Sequence, residues 1–134
     1  MREQENIRTV QEIYAAFGRG DIPALLGAVA DDVEWSIAGP PEVPHAGKRR
    51  GREEVARFFP VLAETEEFLQ FEPREYIAQG DQVVVLGFLR SRVRATGRTY
   101  DNEWAMVWTV KDGKVTRFRT YEDTAAERAA YQPV

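Results

Sequence analysis

The chain has 134 residues, 43% of them apolar and 30% charged, which fits one globular domain spanning residues 1–134 with a single core. Twenty-two acids against eighteen bases leave a net charge of −4, which weighs against a nucleic-acid partner, and the lack of cysteine removes disulfides, thiol nucleophiles and thiolate metal sites. No apolar run approaches the ~20 residues of a membrane span, and "MREQENIRTV" has no apolar signal core, so a cytoplasmic protein with no membrane partner is expected.

The first predicted helix covers residues 3–18, where Ile7, Val10, Tyr14 and Phe17 form an apolar stripe that Ile13 widens. "GRGD" ends it, and Asp21 is placed to cap a second helix with Pro23 in its first turn and Leu25, Leu26 and Val29 on its buried face. "DDVEWSI" alternates as a short strand with Val33, Trp35 and Ile37 on one side. The Pro- and Gly-rich "AGPPEVPHAGKRRG" reads as a loop, its Lys48, Arg49, Arg50 and Arg52 either solvated or holding a phosphate. A third helix starts near Gly51 and buries Val55, Phe58, Phe59 and Leu62, with Pro60 expected to kink or end it.

Strands are predicted at 69–78, 82–95, 99–111 and 114–122, joined by "AQGDQ", "ATGR" and "VKDGKV" into an antiparallel meander. The tail, "DTAAERAAYQPV", reads as a weak helix or a disordered end. The order α, α, β, α and then four strands defines an α+β architecture, a strongly curved antiparallel sheet over three N-terminal helices. A cavity between two such layers is a natural small-molecule site.

Three stretches, "YAAFGRGDIPALLGAVADDVEW", "PHAGKRRGREEVARFF" and "VKDGKVTRFRTYEDT", resemble the SnoaL-like branch of the NTF2-like superfamily, from about residue 5 to residue 124. That superfamily includes ketosteroid isomerases, limonene-epoxide hydrolases and scytalone dehydratases. The resemblance implies a cone-shaped domain, and a homodimer formed through the sheet.

"DNEWAMVWTVKDGKV" is apolar on both faces, with Trp104, Met106, Trp108 and Val110 on one and Ala105 and Val107 on the other. The resemblance implies that one face lines the cone and the other meets a second subunit. Register against the "DGK" turn favours Trp104, Met106 and Trp108 inward, beside Phe118, Thr120 and Glu122 of the next strand. With Phe17, Trp35 and Phe58 these form the expected binding surface for a small apolar or aromatic molecule.

His45, the one histidine, can transfer protons near neutrality. No second N or S ligand lies near it in sequence, so no metal is expected. Tyr14 lies near the place where ketosteroid isomerases carry an oxyanion-donating tyrosine. The aspartate base of those isomerases is missing, since "EWSIAG" offers Ser36 or Ile37 there. In "FRTYED", Phe118 and Thr120 stand where limonene-epoxide hydrolases have tryptophan and aspartate. By likeness to polyketide cyclases, Glu122 or Asp123 would be the acid/base, only one of them facing inward. Glu103 is either a further acid at the pocket or the partner of an arginine among Arg90, Arg92 and Arg94. The expectation is a cofactor-free isomerase, cyclase, dehydratase or hydrolase; the alternatives are a non-catalytic binding protein and a dimerising module of the same fold.

Overall fold

A computed structural model describes residues 2–133. Helix α1, Arg2–Gly18, buries Val10, Ile13 and Ala16 at the helical spacing that the sequence carries. Helix α2, Ile22–Gly27, begins where the Asp21 carboxylate accepts the Ala24 N–H at 3.1 Å. Strand β1, Val29–Ile37, then runs past the expected alternating stretch.

The segment read as a loop contains a further strand, β2, Gly47–Arg50. It pairs antiparallel with β1, Trp35 opposite Arg49 and Ser36 opposite Lys48. Its cations mark it as an edge strand, because a charged edge resists further strand addition. Helix α3, Arg52–Thr65, also departs from expectation by continuing through Pro60. Burial of Phe58, Phe59 and Leu62 on both sides of the proline outweighs its local cost.

The four strands of the meander are β3, Glu66–Gln79; β4, Gln82–Val93; β5, Thr99–Lys111; and β6, Lys114–Glu122. Asp112 and Gly113 both have positive φ, 52° and 76°, as a tight two-residue hairpin turn requires. The sheet order is β2-β1-β6-β5-β4-β3. It is antiparallel except where β1 lies parallel to β6, so the expected wholly antiparallel sheet is mixed at one pair. The tail is ordered as α4, Thr124–Tyr131, opened by the Asp123 carboxylate accepting from Ala126 N–H. Three helices thus precede the meander, with β1 and β2 among them, and a fourth follows it.

Trp104, Met106 and Trp108 point into the cone as expected, opposite Glu122, Thr120 and Phe118 of β6, but a register shift between Thr109 and Val110 creates this pairing; the turn's own count would set Trp108 against Arg117. Register shifts in β3, between Phe68 and Gln70 and between Pro73 and Glu75, bend the sheet over the helices. At the second bend the Trp104 indole lies on the backbone of Gly87 and stacks on Phe71, centroids 5.2 Å apart. A methyl group at Gly87 would meet the indole and come within 2.5 Å of the Glu72 carbonyl oxygen. Gly87→Ala is therefore expected to cost about 1–3 kcal/mol by overpacking, read from urea denaturation. Gly27→Ala, with nothing within 4 Å of the added carbon, is the control and should not destabilise.

Candidate active site

The helices and the curved sheet enclose a cavity with about 90 Å³ open to the centres of water-sized molecules. Its wall is aromatic: Tyr14 and Phe17 from α1, Trp35 from β1, Phe58 and Phe59 from α3, Phe68 and Phe71 from β3, Trp108 and Phe118 from β5 and β6. Met106 and Thr120 complete the floor. Of the binding residues expected from sequence, Trp104 alone is not on the wall; it is buried beneath it, against Phe71 and Tyr14.

The period-2 pattern of β6 sends Phe118, Thr120 and Glu122 inward, so Glu122 lines the cavity. Its neighbour Asp123 is spent as the cap of α4, with its backbone tied to the Asn102 side chain. Glu103 is exposed on the outer face, opposite Phe88. The arginines expected to pair with it are engaged elsewhere: Arg90 with Asp101 at 2.8 Å, Arg92 with Glu67 at 3.1 Å, and Arg94 with the Ala63 carbonyl. Among the described residues no ion pair includes Glu103. Alternation across the pleat therefore removes Glu103 and Asp123 from the cavity.

One end of the cavity is carboxylic. Glu66, at the start of β3, and Glu127, on α4, are buried beside Glu122 and His45. Glu66 Oε1 accepts from Ser91 Oγ at 2.7 Å and lies 2.6 Å from the Tyr100 hydroxyl, while Oε2 accepts from Tyr131 at 2.6 Å. The Tyr100 hydroxyl also lies 3.0 Å from Glu127 Oε2. His45 Nε2 is 3.3 Å from Glu127 Oε2 and 3.7 Å from Glu66 Oε2. The Thr65 hydroxyl donates its hydrogen to the Val61 carbonyl at 2.9 Å, so His45 Nδ1, 3.2 Å away, is the donor in their contact. This orients the imidazole with Nε2 toward the carboxyls.

Burial, then the neighbouring Glu127 charge, pushes the Glu122 carboxyl up to about 9. Burial and the contact with Glu127 likewise raise Glu66, against the donation from Tyr100 and Tyr131. Burial opposes ionisation of Glu127 too, but His45, Glu66 and Tyr100 outweigh it and hold its carboxyl below the usual range. On the opposite wall Tyr14 is pushed well above the ordinary phenol range by burial, accepts from Trp108 Nε1 at 3.1 Å and donates to Met106 Sδ at 3.2 Å.

Glu66, Glu127, Tyr100 and Tyr131 escaped the sequence reading. Glu127, Ala130 and Tyr131 share the i, i+3, i+4 spacing of a buried helical stripe, which was a usable signal; Glu66 in "ETEEF" gave none. Donor atoms of His45, Glu66 and Glu127 lie within 4.8 Å of one another, near enough to ligate a cation. Two of the three are carboxylate oxygens, so the scarcity of N and S ligands in the sequence does not bear on this set.

A curved sheet wrapped over helices, with the cavity between them, is the architecture of NTF2-like proteins. Within that class the chain belongs to the SnoaL-like domain family, which matches residues 10–118. An NTF2-like protein of Burkholderia xenovorans LB400, solved by crystallography, is 41% identical, with 97% of this chain and 98% of that one aligned and a TM-score of 0.89. TerC, crystallised with polyporic acid, is 30% identical over 95% of this chain and 98% of its own, with a TM-score of 0.84. The uncharacterized protein Rv0034 of Mycobacterium tuberculosis H37Rv is 28% identical over 127 residues, 94% of this chain and 95% of that protein.

The raised Glu122 carboxyl has a signed consequence for stability. Between the unfolded value of about 4.3 and the folded value of about 9, only the folded chain holds this proton. Its contribution is full below that window and is lost as pH rises through it. Glu122→Gln, which mimics the protonated acid, should gain on the unmodified protein by up to about 1.4 kcal/mol per pH unit from about pH 5 to about pH 9. Urea midpoints across that range measure it; a constant difference would mean that Glu122 is ionised in the folded protein.

Proposed function

We propose that this protein is a cofactor-free proton-transfer enzyme acting on a small, ring-containing, largely apolar molecule. The observation that carries the reading is a half-buried carboxyl and a buried one at one end of an aromatic cavity, whose surroundings push them apart: Glu122 toward the acid, Glu127 toward the anion. Such a split assigns an acid and a base. In the proposed reaction Glu127 takes a proton from the substrate and Glu122 gives one at a second atom, leaving the total unchanged. His45 orients Glu127, and the Tyr14 hydroxyl, whose acceptor is only a thioether sulfur, can turn its hydrogen to a substrate oxygen. That TerC was crystallised with polyporic acid supports a small organic molecule as the occupant. Isomerisation, cyclisation and dehydration all fit this proton count.

Trp35 and Trp108 lie on the wall, so a panel of aromatic and terpenoid compounds can be screened by tryptophan emission and the binders tested for conversion. On a converted compound, Glu122→Gln and Glu127→Gln should each lower kcat/KM by about 10²–10⁴. Undiminished turnover in both variants would remove the assignment. The second reading, a binding protein without turnover, is favoured by Glu66, whose two oxygens are fully engaged with neighbouring hydroxyls. It predicts quenching with no product from any binder.

We also propose a homodimer formed through the outer face of the sheet. That face exposes Ile77 and Tyr121, 54% and 48% accessible, around half-buried Val84, Leu86, Ala105 and Val107. The same face carries charges of both signs: Glu72, Arg74 and Glu75 on β3, Glu103 on β5, Arg117 and Arg119 on β6, Glu34 on β1, and Lys48 and Arg50 on β2. A two-fold axis through the strip would set its apolar residues against those of the other copy. Light scattering should give twice the 15.3 kDa chain mass; the single mass at working concentration would exclude the dimer.

A further inference from the structure

The Tyr100 hydroxyl has one hydrogen and two carboxyl oxygens within reach, Glu66 Oε1 at 2.6 Å and Glu127 Oε2 at 3.0 Å. It can donate to only one of them. The other contact then sets an oxygen lone pair against a carboxyl oxygen, which is repulsive unless that carboxyl itself carries a proton. Ser91 and Tyr131 give their hydrogens to Glu66, and neither is bonded to Glu127. The remaining groups facing the pair are His45 Nε2 from the loop before β2, and Glu122 from β6. Both carboxyls are buried, where two adjacent negative charges are costly.

We infer that Glu66 and Glu127 hold one proton between them, exchanged through Tyr100. In one arrangement the proton is on Glu66 Oε1 and bonds to the Tyr100 oxygen, while the Tyr100 hydrogen bonds to Glu127. In the other, the Glu66 proton has passed to the Tyr100 oxygen and the Tyr100 hydrogen has passed to Glu127 Oε2. Glu66 is then the anion, supported by three hydroxyls, and Glu127 the acid. One proton and one negative charge are present in both arrangements. The opposite displacements of the two carboxyls, Glu66 up and Glu127 down, agree with the first arrangement at rest.

Tyr100 is thereby a positioning residue. Its hydroxyl is turned to the two carboxyls, and it decides which of them is the base. This role in turnover rests on the proposed reading of Glu127, whereas its test uses no substrate, so the two can fail separately.

The test is infrared spectroscopy of the carboxyl C=O stretch, in which protonated and ionised carboxyls are well separated. At neutral pH the unmodified protein should show two protonated-carboxyl bands, one from Glu122 and one from the shared proton. Glu122→Gln should leave one band, and adding Glu66→Gln should abolish it. Tyr100→Phe should shift the shared band and also move the ¹⁵N resonances of His45, which are unambiguous because it is the only histidine. Tyr131→Phe, which removes a hydroxyl bonded to Glu66 and not to Glu127, should shift the band and leave Nε2 of His45 in place. No protonated-carboxyl band in the unmodified protein, or a single band that Glu122→Gln removes, would overturn the shared proton. A band unmoved by Tyr100→Phe would overturn the exchange through Tyr100.

Discussion

A carboxyl group taken out of water must be given hydrogen bonds or a proton, and the rest of this molecule answers that demand at Glu66. Ser91 reaches it from β4, Tyr100 from β5 and Tyr131 from α4. These three partners come from three elements, so their geometry is met only when both strands and the last helix are in register. His45 and Glu127 extend the cluster to the loop before β2. Sheet curvature then follows from what must fit above this end: the bends of β3, and an indole of β5 seated on a backbone without a side chain.

The aromatic wall and the carboxyl end are coupled through dielectric. Rings that exclude water strengthen every charge interaction beside them and raise the cost of an unpaired charge. The same wall that would receive a ring-shaped molecule therefore sets the protonation of Glu122. Polarity sits at the rim formed by β6, α4 and the loop of His45, and opposite it Tyr14 and Trp108 supply a single hydrogen-bonded pair. A molecule between them would meet proton-transfer groups at one end and a neutral phenol at the other.

Much of the fold was legible because its signals are local and periodic. The apolar stripe of α1, the Asp21 cap and the "DG" turn each specify geometry within a few residues, whereas the pairing of Trp104, Met106 and Trp108 with β6 depends on a register shift between Thr109 and Val110 that no local signal marks. β2 was hidden because its pairing with β1 is tertiary and its cations look like solvent. The site was half legible: Glu122 could be placed by alternation, and His45 by being alone. Glu66 and Glu127 could not be, since an acid in "ETEEF" or "AAERAAY" has no local mark of burial. Their burial is decided by Ser91, Tyr100 and Tyr131, at separations of 25, 34 and 65 residues from Glu66. Glu103 misled for the converse reason, being a charge in an apolar strand whose other face is the outer one.

The position of α4 after every strand bears on how the molecule is assembled. Glu66 is laid down at the junction of α3 and β3, and Tyr131 and Glu127 arrive only after the whole meander has been made. Until α4 docks, one end of the cone stays open to water and Glu66 keeps its hydration. Closure of that end joins segments 65 residues apart in the chain, which carries a loop-closure entropy cost. Docking of α4 is thus the contact that dries the carboxyls and gives Glu122 its altered acidity, so the chemistry of the site depends on a helix that carries none of the aromatic wall.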